Sequence, residues 1–178
     1  TGRKEIITEI ITPDKRDETY EKIRQELKNG RQMYVICPRI FEADPKKELA
    51  LNVKSAVEEA KRLKKEIFHE YEVGVLHSKM SKEKKEKVMQ EFTEGKINIL
   101  CATSVVEVGV NVPNATLIII EGAERFGLAQ LHQLRGRVIR STHQAYCYIF
   151  ADAKSDKTIA RLKALKTAKN GFELAELD

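Results

Sequence analysis

Apolar, β-branched runs recur along the chain at 5–11, 32–37, 72–76, 97–101, 116–120 and 145–150. Their length and their content of Val, Ile and aromatic residues predict six strands. Between them, 14–28, 53–65, 81–92, 128–137 and 154–168 carry apolar residues at helical spacing. Strands alternating with helices predict a parallel sheet covered on both faces and joined by right-handed crossovers. The near-continuous apolar stretches 97–100 and 117–120 fit strands buried on both sides. Asp14 and Ser81 are candidate helix caps, while Asn29-Gly30 and Gly95 offer left-handed stops. Segment 41–52, FEADPKKELALN, contains Pro45 and breaks the alternation, so it is expected to be a surface insertion before the second helix. The charged tract 82–87 is followed by Val88 and Phe92, which continue an apolar stripe and make the tract a solvated helix face. No internal repeat is present.

Composition narrows the class. The 178 residues are 42% hydrophobic and 33% charged with 9 Gly and 4 Pro, which excludes disordered and fibrous chains and fits one globular domain with a terminal appendage. The longest apolar stretches fall far short of the ~20 residues that a membrane span needs, so no membrane partner is expected and the cytoplasm is the expected location. Cys37, Cys101 and Cys147 sit in different apolar runs without C-x-x-C spacing, which points to buried free thiols rather than a metal centre or disulfides. A net charge of +5 is compatible with a polyanionic partner and decides little. The chain opens Thr1-Gly2-Arg3 and ends Leu177-Asp178, and is read as a piece of a longer protein.

Neither G-x-x-x-x-G-K-[ST] nor G-x-G-x-x-G occurs, so the chain has no phosphate cradle of its own. The Asp17-Glu18 pair lies in a polar helical segment, not at a strand end, and is expected at the surface. In HQLRGRVIRS, residues 132–141, a continuous helix would place Gln133, Gly136, Arg137 and Arg140 on one stripe, with Arg135 off it. Gly136 would keep the middle of that stripe low. Two adjacent guanidiniums suit a polyanion arriving between them, as an arginine finger does for a phosphoryl group held by another domain. Spacing alone leaves a solvated basic face equally open. In INILCATSVVEVGVNVP, 97–113, a buried strand delivers Thr103 and Ser104 to the carboxyl edge of the sheet, where open α/β sheets bind ligands. Their hydroxyls suit nucleic-acid phosphates, and helix capping before Val105 is an equal alternative.

These two stretches resemble motifs V (103–113) and VI (133–140) of the second RecA-like domain of superfamily 2 helicases and translocases, and 32–38 resembles the strand of motif IV. The segments LNVKSAV (51–57), VLHSKM (75–80), 105–110 and AERFGLAQLHQ (123–133) are most similar to the RecG family of branched-DNA helicases. The transcription-repair coupling factors share AQLHQLRGR. The resemblance implies a RecA-like three-layer α/β sandwich with a mostly parallel sheet of about six strands. It places a helicase C-terminal domain over 1–152 and a helical extension over 153–178 that leads toward a translocation motif. ATP with Mg2+ would be bound mainly by a first RecA-like domain elsewhere in the protein, and that domain, a wedge domain and branched DNA would be the partners. Arg137 and Arg140 would reach the triphosphate, Gln133 would sense it, and Gly109 with Asn111 would face the nucleotide sugar. Thr103, Ser104, Arg39 and the loop of His77 to Lys79 would lie toward the DNA backbone. The domain would be inactive alone. A motor domain of a coupling factor and a non-catalytic RecA-like binding module are the alternatives.

Three residues depart from the family pattern: Asn111 stands where Asp is usual, and Ser78 and Ile139 stand where Gly is usual. A left-handed backbone at Ile139 would cost roughly 1–2 kcal/mol or more. The expectation is therefore that the motif VI helix continues through Ile139.

Overall fold

In the computed structural model, which describes residues 5–103, 111–138, 142–152 and 155–167, six strands form one sheet. They are β1 (Ile7–Ile11), β2 (Gln32–Ile36), β3 (Val73–Leu76), β4 (Ile99–Ala102), β5 (Ala115–Glu121) and β6 (Tyr146–Phe150). Their order is β1-β6-β5-β2-β4-β3, and every pairing is parallel. The helices are α1 (Arg16–Lys28), α2 (Pro45–Arg62), α3 (Lys82–Thr93), α4 (Leu128–Arg135) and α5 (Asp156–Thr167).

Alternation along the strands builds two cores. Tyr34, Ile36, Leu100, Ala102, Ile118 and Ile120 face a layer made by Met89 and Phe92 of α3, Leu128, Leu131 and Leu134 of α4, and Leu162 and Leu165 of α5. The intervening residues, Met33, Val35, Ile99, Cys101, Leu117 and Ile119, face Tyr20, Ile23 and Leu27 of α1, with Ala60 of α2 and the Leu63 that follows it. Three layers result because β2, β4 and β5 are buried at every position, which only coverage on both faces allows. All three cysteines are buried free thiols, and burial pushes Cys37 and Cys147 up to about 12 and raises Cys101 as well.

Local chemistry sets most of the boundaries. Ser81 caps α3 by accepting from the Lys84 amide at 3.2 Å. Gly30 and Gly95 take φ of +88° and +81° and stop α1 and α3, as the sequence predicts. Asp14 does not cap α1: it lies in a 3-10 turn (Pro13–Lys15), and Lys15 occupies the cap position without a side-chain bond. Asp17 and Glu18 are exposed in the first turn of α1.

Two predicted segments differ from the structure. Much of 41–52 is not an insertion, because α2 begins at Pro45 and runs through it. Proline at the first helical position loses no hydrogen bond and brings a preset φ, and Asp44 caps the helix by accepting from the Lys46 amide at 3.0 Å. The helix predicted over 128–137 stops at Arg135, and Gly136–Val138 tighten into a 3-10 turn that buries Val138. Arg137 therefore stands on that turn and not on a continuous α-helical stripe. Ile139 and Arg140 lie outside the described residues, as do Ser104 and Gly109.

Candidate nucleotide and nucleic-acid interface

The predicted residues fall into two groups set by the topology. Arg39 follows β2, His77 and Lys79 follow β3, and Thr103 follows β4. Because β2, β4 and β3 are neighbours, the carboxyl edge of the sheet brings these residues together. Arg39, Ser78 and Thr103 line one cavity of about 280 Å³, with Glu48, Leu49 and Asn52 of α2 on its other wall. Arg39 is exposed and donates through Nε to Glu48 Oε1 at 2.9 Å. That pair uses the Nε donor, and no described hydrogen bond uses the terminal amino groups. The His77 ring is half-buried, and its Nδ1 accepts from the Lys79 amide at 3.2 Å. Lys79 is exposed. No non-glycine described residue has a positive φ, so Ser78 takes the place of the family's Gly without backbone strain.

The second group lies on the face covered by α4. A crossover helix returns antiparallel to its strands, so α4 carries Gln133, and the 3-10 turn after it carries Arg137, toward the amino-terminal half of the sheet. Asn111 is exposed there, just ahead of β5, and its neighbour Val112 is buried. Leu128, Leu131, Leu134 and Val138 turn into the core, leaving Gln133 and Arg137 exposed. Among the described residues, a Cβ added at Gly136 would meet nothing within 4 Å. The charge of Arg137 also reaches the Tyr34 hydroxyl, which burial pushes up to about 12 and this arginine partly lowers.

Arg135 is different in kind. Its Nη1 donates to the Leu165 carbonyl at 2.7 Å and to Thr8 Oγ1 at 3.4 Å, and its Nη2 lies 2.7 Å from His132 Nδ1. It ties α4 to the last turn of α5 and to β1, satisfying a carbonyl that a helix end leaves unpaired. Burial, then the Arg135 charge, lowers the His132 pKa, so the ring is neutral and its Nδ1 accepts. One of the three clustered arginines is thus structural, whereas Arg137 is exposed and Arg140 lies outside the described residues.

Sequence reasoning missed a polar cluster at the other end of β5. Glu121 is 8% exposed and lies 3.4 Å from Arg16 and 3.9 Å from Arg62. Arg62 is claimed more closely by Glu59 at 2.6 Å and by the Tyr20 hydroxyl at 2.9 Å, and Arg16 by Asp152 at 2.7 Å. Burial and the Glu59 charge therefore outweigh the two arginines and push Glu121 up to about 7. The signal in the sequence was faint, a single Glu ending an apolar run.

Among the described residues no group of His, Cys, Asp and Glu could hold a metal ion, and no helix is long and apolar enough to cross a membrane. The donors on the α4 face are amide and guanidinium groups. They fit the oxygens of a triphosphate and do not fit Mg2+.

Known proteins share this fold. The model of the helicase conserved C-terminal domain matches residues 14–142. The chain is 45% identical over 177 residues to the ATP-dependent DNA helicase RecG of Thermotoga maritima, covering 99% of this chain and 22% of that protein. To the RecG of Bacillus subtilis it is 44% identical, covering 99% of this chain and 25% of that one. The chain thus spans about a fifth to a quarter of the length of these curated relatives. Among solved structures, a RecG bound to a three-way DNA junction superposes with a TM-score of 0.77 at 42% identity, over 98% of this chain and 22% of that chain. Domain 2 of the DEAD-box helicase Mss116p, bound to an RNA duplex, shares the fold at a TM-score of 0.63 and 18% identity, over 90% of this chain and 60% of that one. The sheet is the RecA-like one that the motifs imply, and the chain belongs to the family of helicase conserved C-terminal domains.

Proposed function

We propose that the chain is the second motor domain of an ATP-dependent helicase or translocase of branched DNA, which remodels replication forks and junctions in recombination and repair in the bacterial cytoplasm. The observation that carries this reading is the exposed end of α4 and the 3-10 turn that follows it. They offer Gln133 and Arg137 to solvent, and the sequence has no phosphate-cradle motif to go with them. Such a face is half of a site. The other half, with the phosphate cradle and the carboxylates for Mg2+, belongs to a first RecA-like domain of the same protein.

In that assembly Arg137 and Arg140 donate to the triphosphate across the cleft, placing charge where it develops in phosphoryl transfer. Gln133 senses the nucleotide, and Gly109 and Asn111 face its sugar. At Asn111 the side-chain amide still accepts a hydrogen bond from a sugar hydroxyl but lacks the charge of Asp. Thr103, Ser104, Arg39 and Lys79 contact the DNA backbone, and His77 shapes the loop that presents Lys79. These are phosphate contacts, so they give grip without sequence preference and weaken with salt. Residues 1–152 form the motor domain, and 153–178 lead toward the translocation motif and, with the wedge domain, couple it to the junction.

The test compares the full-length protein with the isolated chain in ATPase and fork-unwinding assays. DNA-stimulated hydrolysis by the full-length protein and none by the isolated chain is the expected result. A full-length protein that binds forks but hydrolyses nothing would make the domain a binding module.

A further inference from the structure

Phe41 is 74% exposed, whereas the other exposed large hydrophobics among the described residues, Ile7, Leu51 and Leu49, are at 41%, 39% and 37%. One exposed apolar residue needs no explanation by itself. Three features around this one do.

The first is the backbone that presents it. The Asn52 side chain on α2 accepts from the Ile40 amide at 2.8 Å and donates to the Ile40 carbonyl at 3.0 Å, with its remaining donor on the Glu48 carbonyl at 2.8 Å. The residue next to Phe41 is therefore clamped by both of its peptide groups, and the ring projects from a fixed backbone. The second is the cation upon it. The Arg39 guanidinium lies over the Phe41 ring, 4.8 Å from its centroid, and the Glu48 carboxylate holds it there through Nε. The third is place. Arg39 also lines the carboxyl-edge cavity with Ser78 and Thr103, so the ring stands one guanidinium away from the groups assigned above to the DNA backbone.

A rigidly held aromatic ring at the rim of a cationic edge is how proteins hold an unpaired base: the ring stacks on the base while neighbouring cations and hydroxyls take the flanking phosphates. A paired base is already stacked on both sides and offers no free face. Another protein surface could also cover a phenylalanine. The cation lying on the ring and the phosphate-binding groups beside it favour a polyanion. Building on the DNA-binding reading, we propose that Phe41 is a stacking platform for an unpaired base of the bound DNA, positioned by Arg39 and Asn52.

The test measures equilibrium binding of the full-length protein to a fork with 2-aminopurine in its single-stranded arm next to the branch, and to a blunt duplex of equal length. Phe41→Ala should weaken fork binding about tenfold and abolish the change in 2-aminopurine fluorescence. It should leave duplex affinity and the salt dependence unchanged, because no phosphate contact is lost. Phe41→Trp should preserve fork binding, and Asn52→Ala should lose part of it. Unaltered fork binding by Phe41→Ala, or equal loss on both substrates, overturns the proposal. So does a change in the melting temperature of the DNA-free protein, which would mean that another part of the protein covers the ring. A wild-type protein that binds neither substrate overturns the DNA reading and this inference together, whereas one that binds both overturns only the inference if Phe41→Ala has no effect.

Discussion

Glu121 shows how a single residue can set a pH response. Its carboxyl is pushed up to about 7 in the folded chain from the ordinary 4.5, chiefly by burial and next by Glu59. Between those two values the folded state holds a proton that the unfolded chain has released. Stability therefore falls as pH rises through that window, by about 3 kcal/mol at most. Glu121→Gln removes the ionisation while Arg16 keeps Asp152 and Arg62 keeps Glu59. Thermal melts at pH 5 and pH 8 should show a smaller loss of Tm in the variant than in the parent, with the variant the more stable at pH 8. An identical fall in both proteins would mean that Glu121 is ionised throughout. The two fates of the clustered arginines are also decided at this scale, since Arg135 finds the Leu165 carbonyl 30 positions away while Arg137 finds solvent. Nothing in the letters RGR separates them, because the difference lies in contacts that only the folded chain makes.

At the scale of elements, the strands were legible because the central ones are buried on both faces and must be apolar throughout, as 117–120 and 97–100 are. The stops at Gly30 and Gly95 were legible because only glycine takes those φ values cheaply. The start of α2 was not, since a proline reads equally as a breaker and as a first helical residue, and Asp44 is what decides between them. Asp44→Ala should cost about 1 kcal/mol in a urea melt. A change near zero would mean that the cap bond contributes nothing and that Pro45 alone fixes the start. The same helix supplies Asn52 and Glu48, the residues that hold Ile40 and Arg39. Reading 41–52 as an insertion hid the platform under Phe41 for that reason. An aromatic residue beside an arginine in a segment without apolar periodicity was the available signal. The end of α4 was misjudged in the opposite sense: helical spacing persists through Arg137, but the backbone tightens after Arg135 to bury Val138.

At the scale of the whole molecule, one topology accounts for both proposed surfaces. A parallel sheet collects the loops after β2, β4 and β3 on one edge, and the returning crossover sets α4 over the face nearer the opposite edge. The groups proposed for nucleotide and for DNA are thus carried by one sheet, and closure of that sheet on the proposed partner domain would move its grip on DNA when the triphosphate changes. The central claim is that the α4 face completes a site in another domain. Its most direct test is the steady-state ATPase of the full-length protein with saturating branched DNA, comparing the wild type with Arg137→Ala. In that variant kcat should fall by about a thousandfold or more while fork affinity is retained, because the guanidinium acts on the phosphoryl group in flight and not on the DNA. Undiminished turnover in Arg137→Ala would contradict the central claim.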